Sequence, residues 1–548
     1  MEHALFASKP GSRTMVSLLA VSLCASCAEA PPAQVPPPTT APPRAVEIAS
    51  SKQEKPMTRK TDVVETLHGV SVADPYRWLE AGDSAEVQAW TAQQNAHTRK
   101  ILDAIPGRDA FKAQVTELLQ IGYVSAPAVR AGKSAVQYFH TKREGTQNQP
   151  TLYVRSGQGG ADRALIDVAA LSEDGTTALD WWYPSWDGRL LAWGKSESGS
   201  EDSVLLIRDV AAGKDLPDRI DRTRHASVAW LPDGKSFYYS RYPEPGTVPA
   251  GEERYHSRIF LHVIGQDPKT DKLVFGEGRD KTDVPQVSIS PNGRWLVVRV
   301  HMGWDKSEVY LKDLSKGPAA PWIELAVKTP ALFDPIAENE RLYIQTNDGA
   351  PRYKLYAVDY AKPERASWKE MIPESKDVLH DVAILKNEIV VTYMHDASSR
   401  VERFTRDGKS KGALALPGIG SASLTNMPGS DELFVSFTSY VVPTQVHRVD
   451  LRQDARLEPW DRVGAKFTAG DTGIEVSQLF ATSKDGTRVP MFVISKKGMT
   501  HDGTNPTVLY GYGGFNVNQT PSFSPRALAS VQRAAAKNGR DPHGAALN

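Results

Sequence analysis

Few side chains of this sequence fall into a pattern that could carry catalysis. The only cysteines are Cys24 and Cys27, which excludes a cysteine-rich metal site and a thiol nucleophile from the rest of the chain. The histidines are scattered, without the His-Glu-x-x-His spacing that binds zinc on one face of a helix. Four Gly-Lys-Ser strings lack the upstream glycine of a phosphate-binding loop. We therefore expect neither a zinc site nor a phosphate-binding loop.

A glycine-rich turn near the C-terminus has a composition suited to chemistry. The apolar run 506–510 predicts a strand, and it continues directly into Gly-Tyr-Gly-Gly-Phe at 511–515. A strand followed by such a turn is how α/β-hydrolase sheets build a loop that contributes to the oxyanion hole. On composition alone, Tyr512 and Phe515 could equally be aromatic residues that pack the end of the strand.

A serine hydrolase of this kind carries its nucleophile on a Gly-x-Ser-x-Gly turn, followed along the chain by an acid and a histidine. The serines after the glycine-rich turn are Ser522, Ser524 and Ser530, and none is flanked by glycine. Without such a serine, His543 is a poor candidate for the base. Because only 33 residues follow Phe515, we expect the nucleophilic serine, the aspartate and the histidine to be absent.

The Ala/Arg-rich segment after Arg526 has two interpretations. It could begin a genuine amphipathic helix, with Ala527, Leu528 and Val531 on one face. We favour a frameshift or premature stop, because the segment has no aromatic residue and departs in composition from the chain before it.

The composition is that of a globular protein without a strong electrostatic preference. Hydrophobic residues make up 40% and charged residues 24% of the 548 residues, and 65 basic residues balance 65 acidic ones. A net charge of zero argues against nucleic acid or an anionic membrane as the main partner. The length predicts three or four domains, or fewer if one of them is a large repeat unit.

The first 45 residues predict export. Lys9 and Arg13 precede the apolar run 15–25, which has the length of a signal-peptide core and is too short to span a bilayer. We interpret residues 1–30 as a signal peptide or, with Cys27 as the lipidated residue, a lipoprotein leader. The Pro-rich residues 31–45 predict a semi-rigid linker. We expect a periplasmic or secreted protein that is attached to a membrane only through lipidation.

The rest of the chain changes from helical to strand-like spacing at Gly122. Ser84 predicts the start of a helix, and later turns ending in Gly188, Gly234 and Gly293 each precede an apolar run. These turns are 46 and 59 residues apart, close to the length of one four-stranded propeller blade with its loops. The pattern predicts a β-propeller of six or seven blades, and the alternative is a pair of β-sandwiches.

Four motifs resemble the prolyl oligopeptidase family of serine peptidases. They are Asp-Pro-Tyr-Arg-Trp-Leu-Glu at 74–80, Gln-Asn-Gln followed by Leu-Tyr-Val at 147–154, Ser-Lys-Asp-Gly-Thr-Arg-Val-Pro-Met-Phe at 483–492, and Tyr-Gly-Tyr-Gly-Gly-Phe-Asn at 510–516. The resemblance implies a seven-bladed propeller inserted between two parts of an α/β-hydrolase domain. It places the propeller at 123–466, the first hydrolase part at 46–122 and an incomplete second part at 467–548.

The resemblance also implies a function. It implies hydrolysis of short proline-containing peptides after proline by a Ser-His-Asp triad, with the propeller as a filter, no cofactor, and a monomer for the full-length family. The residue at the position of Tyr512 would donate its hydroxyl to the oxyanion, and the residue at the position of Phe515 would line the proline pocket. Because we expect the triad to be absent, we expect the chain to be inactive alone. The alternatives are a non-catalytic peptide-binding propeller and a half-enzyme completed by a second chain.

Overall fold

The computed structural model describes residues 55–453, 455–462, 473–512 and 517–536. Seven antiparallel sheets make up most of it, and shorter elements precede and follow them. Within this described part, no helix is long and apolar enough to cross a membrane.

The N-terminal segment is a hairpin, a single 3-10 turn and two helices. Strands β1 (Val64–Leu67) and β2 (Val70–Ala73) pair before the turn Arg77–Glu80. Helices α1 (Ala85–Asp103) and α2 (Arg108–Leu119) follow. Helix α1 begins where the sequence predicts it, since the Ser84 side chain caps the Val87 amide.

Each of the seven sheets is formed by consecutive strands of the chain, and we call these sheets blades 1 to 7. In blades 2 to 7 the four strands pair in chain order, whereas in blade 1 the first two strands both pair with the third. Blade 1 contains β3 (Tyr123–Val124), β4 (Ala128–Arg130), β5 (Gln137–Arg143), β6 (Thr151–Ser156) and β7 (Asp162–Ile166). Blade 2 contains β8 (Thr177–Pro184), β9 (Leu190–Glu197), β10 (Val204–Asp209) and β11 (Lys214–Ile220). Blade 3 contains β12 (Val228–Trp230), β13 (Ser236–Arg241), β14 (Arg258–Val263) and β15 (Lys272–Phe275). Blade 4 contains β16 (Val284–Ile289), β17 (Trp295–Met302), β18 (Lys306–Asp313) and β19 (Ile323–Ala326).

The last three blades repeat the same four-stranded plan. Blade 5 contains β20 (Phe333–Ala337), β21 (Arg341–Thr346), β22 (Lys354–Asp359) and β23 (Lys369–Ile372). Blade 6 contains β24 (Val378–Ile384), β25 (Glu388–His395), β26 (Ser398–Thr405) and β27 (Ser410–Leu414). Blade 7 contains β28 (Ser421–Asn426), β29 (Glu432–Thr438), β30 (Gln445–Asp450) and β31 (Glu458–Arg462). In all seven blades the register between the last two strands shifts at a bulge, which increases the local twist.

The turns between the first and second strands of a blade explain why short polar segments ending in glycine recur in the sequence. In blade 2 the Ser185 hydroxyl donates to Asp187 at 2.7 Å and accepts from the Leu190 amide at 3.0 Å. Gly188 follows at φ 66°, a conformation that glycine adopts without strain. Ser290 and Asn292 make the same contacts in blade 4. These side chains fix the turn locally, and the following apolar strand then enters the core.

A separate hydrophobic core lies at every junction between neighbouring blades, so the seven blades form a closed ring. A strand in such a blade is covered on both faces, as in β9, where Leu190, Leu191, Ala192 and Trp193 are all buried. The seven-bladed propeller of the sequence analysis is confirmed, and the pair of β-sandwiches is wrong.

The C-terminal segment packs beside blade 7. Strands β32 (Ile474–Thr482) and β33 (Arg488–Lys496) form a hairpin, and helix α3 (Pro525–Ala536) follows later. Leu528 of α3 is buried in a small core with Leu118 of α2, Ile474 and Val441. The helical interpretation of the residues after Arg526 is therefore the one that the structure supports.

Candidate functional site

The glycine-rich turn lies at the surface beside an exposed apolar segment. The exposed fractions of Val508, Leu509 and Tyr510 are 89%, 87% and 76%. The predicted strand over 506–510 is wrong, because these residues have no regular secondary structure and pair with no described strand. Tyr512 is 50% exposed, and its hydroxyl makes no hydrogen bond to a described residue. Phe515 lies outside the described residues, as does Cys27.

A second family-like motif forms the hairpin turn between β32 and β33. The Thr487 amide donates to the Asp485 carboxylate at 3.0 Å, and the Gly486 amide donates to the Ser483 carbonyl at 2.9 Å. Phe492 of β33 packs against Tyr440 of blade 7, with 5.4 Å between ring centroids. This motif therefore fixes the hairpin against the propeller, close in sequence to the candidate turn.

The motif at 74–80 holds the N-terminal hairpin to helix α1. Arg77 pairs with Asp74 at 2.6 Å and with Glu65 of β1, and its hydrogen bond holds the pKa of the partly buried Asp74 carboxyl below its usual value. Trp78 packs edge-on against Trp90 of α1. These contacts are structural, and none of them reaches Tyr512.

One Gly-x-Ser-x-Gly string does occur in the sequence, at 408–412, and the expectation of an absent nucleophile overlooked it. The structure places Ser410 at the start of β27, just after the tight turn that follows β26. Its hydroxyl accepts from the Gly412 amide at 3.3 Å. A nucleophile elbow joins a strand to a helix, whereas this turn joins two antiparallel strands of one propeller blade. Ser410 is therefore not in the geometry of an activated nucleophile.

One group of acidic and histidine side chains comes together between blades 1 and 7. Ligand atoms of His140, Asp162 and Asp461 lie within 4.8 Å of one another. Arg155 bridges the two carboxylates at 2.7 and 2.8 Å, so their negative charge is already balanced by a side chain of the protein. Sequence reasoning missed this cluster, because Arg155 and Asp461 are 306 positions apart.

A second buried histidine lies between blades 2 and 3, and both of its ring nitrogens are paired. His262 Nδ1 is 2.9 Å from Asp271, and Nε2 is 3.0 Å from Asp218. The Tyr239 hydroxyl donates to the other oxygen of Asp271 at 2.7 Å. Burial lowers the pKa of His262, but the hydrogen bonds to Asp271 and Asp218 outweigh it and raise the pKa above its usual value. The ring therefore acts as a cation between two carboxylates and joins the two blades.

Comparison with known proteins gives one consistent result. A family model described as "Prolyl oligopeptidase, N-terminal beta-propeller domain" matches residues 55–461. The prolyl endopeptidase of Elizabethkingia meningoseptica is 32% identical over 473 residues, which cover 86% of this chain and 65% of that protein. The prolyl endopeptidase of Elizabethkingia miricola is 31% identical, with coverages of 87% and 66%. The chain thus spans slightly less than two thirds of the length of these two relatives.

The same result comes from solved structures. One chain from a structural and mechanistic analysis of two prolyl endopeptidases superposes with a TM-score of 0.79 and 37% sequence identity. The superposition covers 86% of this chain and 68% of that one.

Proposed function

The chain belongs to the prolyl oligopeptidase family, and from that premise we propose that its propeller is the substrate filter of a serine-type endopeptidase that cleaves short peptides after proline. The observation that carries this proposal is the family match over residues 55–461, which spans the seven blades of the ring. A ring whose blade junctions are all packed has no wide lateral opening. Such a ring would exclude folded proteins and admit short, flexible peptides.

The segments on either side of the propeller would contribute to an α/β-hydrolase domain. Helices α2 and α3 and the hairpin β32–β33 share one apolar core although they are far apart in sequence. Gln114 of α2 donates to Gln532 of α3 at 2.7 Å. Packing of an N-terminal helix with C-terminal elements is what a domain with an inserted propeller requires.

Tyr512 and Phe515 would serve the reacting peptide. A phenol hydroxyl aimed at the oxyanion stabilises the negative charge that develops in the transition state, by about 3–4 kcal/mol where such donors have been removed. Tyr512 suits this role because half of its side chain is exposed and its hydroxyl has no described protein partner. Phe515 would line the apolar pocket for the proline ring.

The 548 residues would have no peptidase activity by themselves. Ser410 lies in a propeller hairpin, and the serines after Tyr512 lack the glycine flanks of a nucleophile elbow. A half-enzyme completed by a second polypeptide is the alternative favoured by the exposed apolar residues Val508, Leu509 and Tyr510. A strand of a second chain that paired with this segment would cover its apolar side chains.

The test is hydrolysis of a short chromogenic peptide with proline before the scissile bond. We expect the purified chain to release no chromophore above the buffer rate, and Ser410→Ala to leave that result unchanged. If the purified chain releases the chromophore and a serine-directed inhibitor abolishes that release, the proposal that this chain is inactive is wrong. If activity appears only when a second polypeptide from the same source is added, the half-enzyme alternative is correct.

We further propose that the protein is exported, with residues 1–30 as the leader and Cys27 as a lipidation site. The support is the sequence alone: a basic start, an apolar run and a Pro-rich linker. Cell fractionation with the native leader tests it. We expect the native protein outside the cytoplasm and associated with a membrane. The Cys27→Ser variant should lose the membrane association and be recovered in the periplasm or medium. A purely cytoplasmic protein would contradict the proposal.

A further inference from the structure

The described flanking segments contact one end of the propeller. Gln478 of β32 donates to the Asp396 carbonyl in blade 6, and the Phe523 amide donates to the Thr438 hydroxyl in blade 7 at 3.2 Å. Asp396 and Thr438 both lie at the connection between the second and third strands of a blade. Because neighbouring strands of a blade are antiparallel, the turns between first and second strands lie at the opposite end. We call this opposite end the far end.

Arg130 lies at the far end, in the junction between blades 1 and 2. It is the last residue of β4 and is followed by the turn 131–136 to β5. Its Nε donates to the carbonyl of Pro184, the last residue of β8, at 3.1 Å, and its Nη1 donates to the Val129 carbonyl at 2.9 Å. These two bonds to backbone carbonyls hold the guanidinium in one orientation.

The charge of Arg130 is not neutralised by any carboxylate in the part of the chain that the structure describes. Burial alone lowers its pKa, to about 10, so the side chain is still a cation at neutral pH. The acid of the adjacent turn, Asp187, accepts instead from the Ser185 hydroxyl at 2.7 Å and from the Arg189 amide at 3.1 Å. A guanidinium that is withdrawn from water without an anion is costly. An anion that reaches Arg130 therefore gains a partner that the protein does not already satisfy.

Hydrogen-bond donors remain available beside this charge. The Nη2 of Arg130 has no hydrogen-bond partner among the described residues and is open to solvent. Gln137 lies opposite on β5, and its side-chain oxygen accepts from Ser156 at 3.0 Å, which leaves its NH2 group for another acceptor. The Trp186 ring lies 5.5 Å from Cζ of Arg130 and is fixed by its bond to the Trp230 carbonyl at 2.8 Å. One positive charge, two sets of N–H donors and an apolar ring thus lie together.

We propose that Arg130, with Gln137 and Trp186, binds the C-terminal carboxylate of a short peptide at the far end of the propeller. One guanidinium charge matches one carboxylate, and N–H donors on a planar group suit the two carboxylate oxygens. A phosphate group, with nearly two charges, brings more negative charge than this site balances. The last side chain of the peptide packs on the Trp186 ring. The inference concerns binding alone and does not depend on peptidase activity.

Titration calorimetry of the full chain with a peptide acid and its amide tests this site. The probes are N-acetyl-alanyl-phenylalanine and the same peptide with a C-terminal amide, and neither contains proline. We expect the acid to bind about tenfold more tightly or better, because hydrogen bonds to a charged acceptor are the stronger ones. Added salt should weaken the binding of the acid. No measurable binding of the acid, equal affinities for the two probes, or tighter binding of inorganic phosphate than of the acid would overturn the proposal.

Substitutions separate Arg130 from the general charge of the surface. We expect Arg130→Gln to reduce the affinity for the acid about tenfold, to that of the amide. Lys133→Gln is the matched control, since Lys133 is an exposed cation in the turn after β4 and its removal should change the affinity less than about twofold. If Arg130→Gln does not fold, Arg130→Lys replaces it and should lose most of the preference for the acid, because an ammonium lacks the planar donor pair. An unchanged preference in the folded variant would contradict the role of Arg130.

Discussion

The propeller and the segments that flank it differ in how their apolar residues are covered. In the propeller, every blade lies between two others, so both faces of strands such as β9 are buried. In the flanking segments, α2, α3 and the hairpin cover one another on one side, while Val508, Leu509 and Tyr510 remain exposed. The propeller therefore supplies its own stability, and the flanking segments have surface left for another partner.

The largest expected effect comes from emptying a blade junction. Trp193 is fully buried between blades 1 and 2, donates to Asp215 at 3.1 Å and lies under Arg208. We expect Trp193→Ala to reduce the free energy of unfolding by about 3–5 kcal/mol. Urea denaturation followed by circular dichroism measures it. Met57→Ala is the control, since Met57 is 91% exposed and its substitution should cost less than about 0.5 kcal/mol. Similar losses of unfolding free energy in the two variants would show that burial at the blade junction is not what stabilises the propeller.

Substitution at the charged junction between blades 2 and 3 should reduce the free energy of unfolding by nearly as much. The size of this loss should depend on pH. His262→Gln leaves Asp218 and Asp271 buried without their cation, which we expect to cost about 3 kcal/mol at pH 6. Because the pKa of His262 is raised, its stabilisation is fully present below the usual histidine value near 6.5 and is lost as the pH rises through the folded-state pKa. Melting temperatures from pH 5 to 10 should therefore converge for the two proteins at alkaline pH. Parallel curves would contradict the paired, charged state of His262.

The core of the flanking segments should respond locally. Leu528 of α3 is fully buried against α2 and the hairpin, and Leu528→Ala removes that contact. We expect a loss of about 2–3 kcal/mol in the stability of the flanking unit, with the melt of the propeller unchanged. Limited proteolysis should cut first near α3, whereas Ser530→Ala, at an exposed position of the same helix, should not change the cutting. A matching loss in the propeller melt would show that the two regions are one cooperative unit.

The smallest effect on stability, and the largest on association, is expected at the exposed segment. Leu509 is 87% exposed, so Leu509→Ser should change the free energy of unfolding by less than about 0.5 kcal/mol. It should reduce self-association, because exposed apolar surface of this kind favours contacts between chains. Light scattering against protein concentration measures this. An unchanged association constant would mean that the segment is not a contact surface.

The parts of the fold that local chemistry determines could be predicted from the sequence. The turns at Gly188 and Gly293 and the helix start at Ser84 are set by residues close together in the chain, and the structure confirms them. The 506–510 strand was wrong, because an apolar run becomes a strand only when another strand pairs with it.

The site was harder to predict, because its contacts join distant residues. The ion pair of Arg155 with Asp461 and the clamp of His262 with Asp218 each cross a blade junction, and no local pattern marks them. Ser410 shows the converse: its glycine flanks fit a catalytic pattern, and only the surrounding antiparallel strands exclude the role.

Labelling with a serine-directed fluorophosphonate, mapped by mass spectrometry, tests the central claim most directly. That claim is our proposal that this chain would contribute the substrate filter and an oxyanion donor of a serine peptidase without an activated serine of its own. Under native conditions we predict no stoichiometric labelling of any serine, Ser410 included, while an active prolyl endopeptidase in the same experiment is labelled fully. Stoichiometric labelling of a single serine of this chain would contradict the account.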